Sequence, residues 1–579
     1  KEDPENYRGI SLINCCAKLF TLILLERITT HCNTNNILPE CQAGFRRSRS
    51  CSDNIFILNS ILQIHLRLRG RKVFVAFVDF KRAFDTINHD LLWRKLYESG
   101  ISTKNIRIIK NIYDNAIMRL KSNNCFSKTY EIIEGVLQGE SLSPLLFSIF
   151  IADIENYFHS LGLTGINVDN VISVILLLFA DDLVILADSQ IDLNRKLAAL
   201  NKYAKLNHLI VNINKTKVMV FSRGGYGGVA RRHKFYYDHN ILEIVPSYVY
   251  LGVKFTSSGL FLDMSKQTVI KTKQAFGSVT NLISRSKINS WFSKKKLYES
   301  ILLSALTYSI GIWGLRYEEV IERAQVGFFK HLLWIPRNTP DYIVRLETST
   351  LKVSFLIFKA ALEWFFKVNF MSDQRLPKIC FKRLKQLHVT SPIKYNWIAQ
   401  LKHFFFDLAE RPDLWNDCLN NGGNGKRLTK ELLDSYKSVL TREDLNSLSR
   451  STSLLLATSF SYRSLPNYLN LRCPNYLVKI IAQLRLCTKN YIKLSDKLNI
   501  HKINQEEICS ICNLNQRETI EHLFFQCPFY GHIRSSYLGE INSLVELANA
   551  LESDSYNILF SMGGFVTSML RARSFLLNE

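Results

Sequence analysis

The sequence lacks an uninterrupted apolar run long enough to cross a membrane. Its longest apolar stretch, Val171 to Ala187, is broken by Asp181 and Asp182, so no membrane helix is expected there and no membrane partner. No low-complexity tract and no repeat of fixed period is present, which excludes solenoids and low-complexity chains. No secretory signal is read, and the 13 cysteines are mostly scattered, so a disulfide framework is not expected. Acidic residues are the minority charge: 74 Lys and Arg stand against 50 Asp and Glu, a net charge of +24. That excess suits a polyanionic partner, because Lys and Arg release counterions from phosphates, although a merely basic soluble protein has the same balance.

What is present points to a folded chain of several parts. A hydrophobic fraction of 47% with 21% charged residues is globular rather than disordered. The 579 residues exceed one core, and domain-size statistics predict roughly three to five units. Leu12, Leu19, Leu22, Ile23 and Ile28 suit an amphipathic helix over Ser11 to Thr30. Arg71 to Phe80 reads as a buried strand, rich in β-branched and aromatic residues. A helix is predicted over Ala83 to Leu96, started near Asp85 or Asn88, and another from Ser143-Pro144, with Ser as cap. Val171 to Phe179 and Leu183 to Ala187 predict a hairpin with Asp181-Asp182 at its tip, followed by a helix over Leu193 to Leu206. Gly224 to Gly228 reads as a loop, and Asn420 to Gly425 as the clearest linker. From about Leu260 the chain turns helical and basic, through Lys266, Lys271, Lys273, Arg285, Lys287 and Lys294.

Asp79 ends one apolar strand, and Asp181-Asp182 lie between two others. Carboxylates at the ends of buried strands are costly unless solvated or bound to a cation. Nucleotidyl transfer needs a metal pair that activates a hydroxyl and stabilises leaving pyrophosphate, and magnesium favours carboxylate oxygens for that work. An isolated Asp-Asp pair is more often a turn or a helix cap. Here the pair has company.

Phe77-Val78-Asp79-Phe80-Lys81-Arg82-Ala83-Phe84-Asp85 resembles the first catalytic motif of reverse transcriptases, and Phe179-Ala180-Asp181-Asp182 the second. Gly135-Val136-Leu137-Gln138-Gly139-Glu140-Ser141-Leu142-Ser143-Pro144 lies between them, in the family's order. Upstream, Asn6-Tyr7-Arg8-Gly9-Ile10-Ser11-Leu12 and Gln42-Ala43-Gly44-Phe45-Arg46 resemble finger motifs of LINE-type (non-LTR) retrotransposon enzymes. Downstream, Asn214-Lys215-Thr216-Lys217 and Tyr250-Leu251-Gly252-Val253 resemble the last palm motif and the primer grip. The chain begins inside a motif, so an N-terminally truncated fragment is expected. Many relatives have Pro where Gly9 stands, a departure that removes no chemical group.

The resemblance implies an RNA-directed DNA polymerase with a pair of Mg²⁺ ions, or Mn²⁺ in their place, at Asp79 and Asp181, supported by Asp182. By the same resemblance the Phe80 carbonyl would join that site. Phe84, five residues after Asp79, would face the sugar C2′ of the incoming nucleotide and exclude ribonucleotides. Gln138 and Gly139 would line the nucleotide pocket, Arg46 would hold the triphosphate, and Lys215 would protonate pyrophosphate. Tyr250, Leu251 and Gly252 would form the primer grip. Implied partners are template RNA, primer or target DNA and deoxynucleoside triphosphates, in nucleus and cytoplasm, by target-primed reverse transcription.

Cys509-x2-Cys512-x9-His522-x4-Cys527 offers three thiolates and one imidazole, the set of a closed tetrahedral structural Zn²⁺ site. A short helix over Glu518 to Phe525 would carry His522, and the segment is expected as a separate small unit. With Glu518 to His522 and Cys527-Pro528 it resembles the C-terminal zinc knuckle of LINE-type proteins, whose implied partner is template RNA or target DNA, through Arg517, Arg534 and Tyr530. After Cys527 no Pro-Asp with following acidic and Lys residues is found, so a C-terminal restriction-like nuclease is not expected.

The expected fold class is α+β, a right-hand polymerase followed by a mostly helical C-terminal region with a zinc knuckle. Expected divisions are fingers over 1–70, palm over 71–260 as an antiparallel sheet with helices on one face, and helical thumb over 261–350. A helical region over 351–504, the knuckle over 505–535 and a tail over 536–579 follow. Two alternatives stay open: a non-catalytic RNA-binding remnant of a decayed element, and a group II intron-type or telomerase-type polymerase.

Overall fold

The computed structural model describes residues 9–122, 125–169, 171–227, 233–420, 425–462, 464–496 and 499–577. Asn6, Tyr7 and Arg8 of the first finger motif, Gly228 and residues 421–424 of the expected linker lie outside the described residues. The chain forms two compact units, Lys1–Asp263 with Phe365–Gln400 and Met264–Trp364 with Leu401–Glu579.

The first unit is built on a five-stranded sheet. Its strands are β1 (Lys72–Val78), β2 (Leu176–Phe179), β3 (Asp182–Ala187), β4 (Lys217–Ser222) and β5 (Glu243–Ile244), in the order β5-β4-β1-β3-β2. Central β1 pairs antiparallel with β3 and β4, and Val73 to Val78 are all buried, as expected for a strand covered on both faces. The sheet is not wholly antiparallel: β5 joins β4 in parallel at the edge. β2 and β3 form the predicted hairpin, closed by the pair Phe179–Asp182. A second hairpin, β6 (Ser247–Tyr250) with β7 (Val253–Thr256), follows.

Local sequence explains most of the helices, and the differences from expectation have local causes. Helix α1 (Cys15–Thr34) buries Thr21, Leu24, Ile28 and Cys32, whereas Leu12, Leu19, Leu22 and Ile23 are exposed. Of the five apolar residues expected to share a face, only Ile28 is buried, because the face that packs is centred on Leu24 and Ile28. Helix α2 (Cys51–Leu66) is buried almost all round, as a core helix. Helix α3 (His89–Glu98) starts six residues later than expected, because Arg82 takes a positive φ of 47° and Asn88 is the true cap, accepting from the Leu91 N–H at 3.0 Å. Helix α4 (Ser143–Phe150) has Pro in its first turn as predicted, but Ser143 does not cap it. The Glu140 carboxylate does, accepting from the Leu142 and Ser143 N–H groups at 2.8 Å each. Helix α5 (Gln190–Leu206) is capped by Ser189, and α6 (Leu376–Leu387) belongs to the segment that joins this unit from far along the chain.

The second unit is nearly all helical, with long helices such as Glu318–Leu332, Gly425–Ser449 and Tyr556–Leu577, and one hairpin of Tyr491–Ser495 with Ile500–Asn504. Its core includes Cys509, Ile520, Leu523, Phe524 and Cys527 together with Phe565 and Met569. The Cys/His segment is therefore not a separate small unit. Its apolar side chains are large enough to pack into a neighbouring core, and Glu518 makes a buried ion pair with Arg573 of the last helix. Among the described residues no helix is long and apolar enough to cross a membrane.

Candidate active site and metal centre

The sheet's register sets the carboxylates. Val78 pairs with Leu183 and Phe179 with Asp182, so Asp79 and Asp182 leave adjacent strands at the same end, with Ala180 and Asp181 forming the hairpin loop. Asp79 and Asp181 are half-buried and Asp182 is exposed. Asp79 is held by its backbone: its N–H donates to the Thr216 hydroxyl at 3.2 Å, and its carbonyl accepts from the Asn212 N–H at 2.7 Å. Tyr248, which the sequence reading passed over, stacks on Phe77 at 4.3 Å. Burial first, then the charges of Asp182 and Asp79, push its hydroxyl up to about 12. Asp79 forms no ion pair with a basic side chain among the described residues. Carboxylate oxygens at one end of adjacent strands are the donor type that magnesium favours.

The hairpin loop that carries Asp181 is braced from outside the sheet. Ala43 donates its N–H to the Leu178 carbonyl at 2.9 Å and Leu178 donates to Cys41 at 2.9 Å, extending the sheet past β2. Buried Gln42 accepts, through Oε1, from the N–H groups of Gly44 at 2.8 Å and Ala180 at 3.1 Å. Ala180 has a φ of 56°, a left-handed conformation costly for a residue with a Cβ, so this hydrogen bond stabilises a strained turn. A Cβ on Gly44 would lie 2.3 Å from the Ala180 nitrogen and 3.0 Å from the Phe179 carbonyl carbon. Gly44→Ala is therefore expected to displace the loop carrying Asp181. Displacements of about 1 Å cost about a hundredfold in rate, so extension kinetics should fall by that order while the far-UV spectrum stays native. Full activity in that variant would mean that the loop does not position the carboxylates.

Several residues read from sequence have different surroundings from those expected. Arg46 donates through Nη1 to the carbonyls of Pro39 at 2.7 Å and Gln42 at 3.2 Å. Burial, then Arg49, lowers its pKa to about 10, still protonated at neutral pH. The same loop is tied by Arg375, whose guanidinium pairs with Glu40 at 2.7 Å and with buried Asp53, while Arg49 pairs with Glu40 at 2.6 Å. Nothing in the local sequence signals Arg375, which lies 322 residues from Asp53.

Phe84 is half-buried and stacks on Phe147 at 4.7 Å. Its carbonyl accepts from the Val136 N–H at 2.7 Å, and Gln138 Nε2 donates to the Asp85 carboxylate at 3.3 Å, so the first and middle motifs form one surface. Gly139 has a φ of 110°, and a Cβ there would meet the Ser11 carbonyl oxygen at 2.7 Å. Lys215 is exposed on the turn that brackets Asp79. Tyr250 is buried, its hydroxyl accepting from Asn54 Nδ2 at 3.3 Å, so Leu251 and Gly252, with φ of 44° and 82°, form the hairpin tip.

In the second unit the ligand atoms of Cys509, Cys512, His522 and Cys527 all lie within 4.8 Å of one another. Cys512 Sγ lies 3.3 Å from His522 Nε2, and His522 Nδ1 meets Gln516 Oε1 at 3.0 Å. Because the amide oxygen accepts, Nδ1 carries the proton and Nε2 is left to bind metal. His522 lies on a widened helical turn, His522–Gln526, rather than an ordinary helix. Burial pushes the thiols of Cys509 and Cys527 up, the latter to about 12, and a bound cation would reverse that shift. Three sulfurs and one nitrogen with no open position fit a structural zinc.

Residues 1–255 match the family described as "Reverse transcriptase (RNA-dependent DNA polymerase)", and residues 472–533 match "zinc-binding in reverse transcriptase". Over these two segments the chain is similar to reverse transcriptases. The curated relatives it resembles include enzymes of LINE-type, non-LTR retrotransposons. It is 25% identical over 339 residues, 56% of this chain and 35% of the other, to "RNA-directed DNA polymerase from mobile element jockey" of Drosophila funebris. It is 27% identical over 266 residues, 45% of this chain and 36% of the other, to "Retrovirus-related Pol polyprotein from type-1 retrotransposable element R2" of Popillia japonica. The alignments span about a third of these relatives' own lengths. Among solved structures, a telomerase from Candida albicans aligns over 62% of this chain and 57% of its own at 13% identity and a TM-score of 0.30, too slight a likeness to argue from.

Proposed function

We propose that the chain adds deoxynucleotides to a primer 3′-hydroxyl on an RNA template, with Asp79, Asp181 and Asp182 as the residues that hold Mg²⁺. The observation that carries this reading is the register that puts Asp79 and Asp182 at the same end of adjacent strands, beside the braced hairpin loop of Asp181. When bound, the metal pair lowers the pKa of the primer hydroxyl and neutralises the leaving pyrophosphate. The protein's own part is positioning. Gln42 and Gly44 hold the Asp181 loop, Thr216 and Asn212 hold the Asp79 backbone, and Tyr248 forms an aromatic wall beside two carboxylates. In this reading the first unit's sheet is the palm, and the helical start of the second unit supplies the thumb.

Phe84, backed by Phe147, is the proposed gate against a 2′-hydroxyl, with Gln138 and Gly139 lining the nucleotide site. Arg46 braces its own loop through Nη1, and its remaining donors leave it the candidate triphosphate ligand. Exposed Lys215 remains the candidate proton donor to pyrophosphate, and Leu251 with Gly252 the contact to the primer. Phe84→Ala should raise the ratio of ribonucleotide to deoxynucleotide incorporation efficiency by about tenfold or more, as expected when a shaped pocket wall is removed. Single-nucleotide extension with each substrate reads that ratio, and an unchanged ratio would leave Phe84 a packing residue. By the same reading, template RNA, primer or target DNA and deoxynucleoside triphosphates are the partners, and copying from a nicked DNA end is the process.

A further inference from the structure

We propose that the first unit carries a second, non-catalytic phosphate site that binds one nucleotide unit of a single-stranded RNA, at the end of the sheet away from the aspartates. A cavity of about 560 Å³ opens there, where β1 begins and β3 ends. From Lys72 the strand runs to Asp79, about 20 Å at the rise of an extended chain, so the cavity is distinct from the carboxylate site.

Charge and unsatisfied donors mark the cavity. Arg67, Arg71, Lys72 and Arg383 line it against a single carboxylate, Asp188. None of these four cations forms an ion pair among the described residues, whereas Arg375 is paired with Glu40 and Asp53, and Arg345 with Glu322 and Asp444. The Nε atoms of Arg67 and Arg383 are both buried without a hydrogen-bond partner. A buried guanidinium N–H without an acceptor is costly, and a phosphate oxygen is the acceptor that guanidinium geometry suits best.

The surrounding backbone favours an anion as well. Arg67 ends α2, but the carbonyl pole of that helix is already covered: Arg223 donates Nε to the Leu66 carbonyl at 2.6 Å and pairs with the Arg67 carbonyl. Ser189 and Gln190, at the N-terminal and positive pole of the 17-residue helix α5, line the same cavity. His65 Nε2 donates to the Asn167 carbonyl at 2.9 Å, and burial together with Arg71 and Arg67 holds its pKa down, which places both guanidinium groups in its neighbourhood. Ile64, Leu68, Phe74 and Val168 give the cavity an apolar wall fit for a base or sugar face. Leu68, Gly70 and Arg71 are exposed at its mouth, so a strand can enter and leave. A cavity of this volume holds a nucleotide.

The test uses the full chain without magnesium, so that it reads binding and not polymerisation. Affinity for a short fluorescent oligouridylate is measured across a salt series for the wild type and for R67Q/R383Q. Loss of this one phosphate contact to single-stranded RNA should reduce the slope of log affinity against log salt by about 0.7. Adenosine monophosphate, followed by saturation-transfer NMR, is the second arm. If the monophosphate binds in a variant-sensitive way while the RNA slope is unchanged, the site takes free nucleotides and the RNA assignment is overturned. An unchanged slope with no monophosphate binding overturns the site altogether. Hydrogen exchange on the wild type guards against a misfolded variant: RNA should protect residues 64–72 and the segment around Arg383, and lack of protection there counts against the proposal. D181N should keep the full salt slope, so failure of the polymerase reading and failure of this site are read on different variants.

Discussion

Asp181→Asn is expected to lower templated DNA extension by about three orders of magnitude or more, since a metal pair supplies several kcal/mol of barrier reduction and each 1.4 kcal/mol is tenfold. The substitution keeps size and hydrogen-bonding reach but removes the negative charge that a hard cation requires. Asp181 lies in a two-residue loop closed by the Phe179–Asp182 pair, and its neighbour Ala180 is held by Gln42, so the fold should tolerate the change. Primed-template extension over a magnesium titration checks the rate, and gel shift on the same template checks that binding is retained. Equal activity in the two proteins would remove Asp181 from the catalytic set. A parallel loss of rate and binding would mean that the loop itself had collapsed.

Cys512→Ser should abolish stoichiometric zinc and destabilise the second unit. Structural zinc sites contribute about 10–16 kcal/mol of apparent binding energy in isolated peptides. Here the segment is also held by Phe524 against Phe565 at 4.8 Å and by the Glu518–Arg573 pair, so part of its order survives without metal. A net loss of about 3 kcal/mol, or about 6 °C or more in the unfolding midpoint of a unit of this size, is the expectation. Because Cys509 and Cys527 belong to the unit's core, proteolysis should reach the core helices and not only the tail. Elemental analysis and limited proteolysis of wild type and variant measure both effects. A wild-type chain without zinc, or a variant with unchanged zinc, would show that the four residues do not bind it. The first unit's core contains none of them, so its own unfolding transition should be unmoved.

The sequence by itself determined the strands of the sheet and where the three aspartates fall on them. Runs such as Val73 to Val78 and Leu183 to Ala187 are apolar without alternation, which forces strands buried on both faces and leaves Asp79, Asp181 and Asp182 at their ends. The zinc set is legible for a similar local reason: ligand identity and spacing restrict the metal before any fold is known. Only the tertiary structure decided the supports. Periodicity reports that Leu12, Leu19, Leu22 and Ile23 are apolar, not that α1 turns Thr21, Leu24, Ile28 and Cys32 inward instead. Residue type does not tell that Arg46 reaches the Pro39 and Gln42 carbonyls through Nη1, which depends on where those carbonyls fall. Arg375 reaching Glu40 and Asp53, and the zinc segment entering a core with the last helix, join positions far apart in the chain. Such pairs leave no local pattern, because an ion pair or a packed ring depends on the distance between side chains in space, and a single sequence specifies that distance only after the chain has closed on itself.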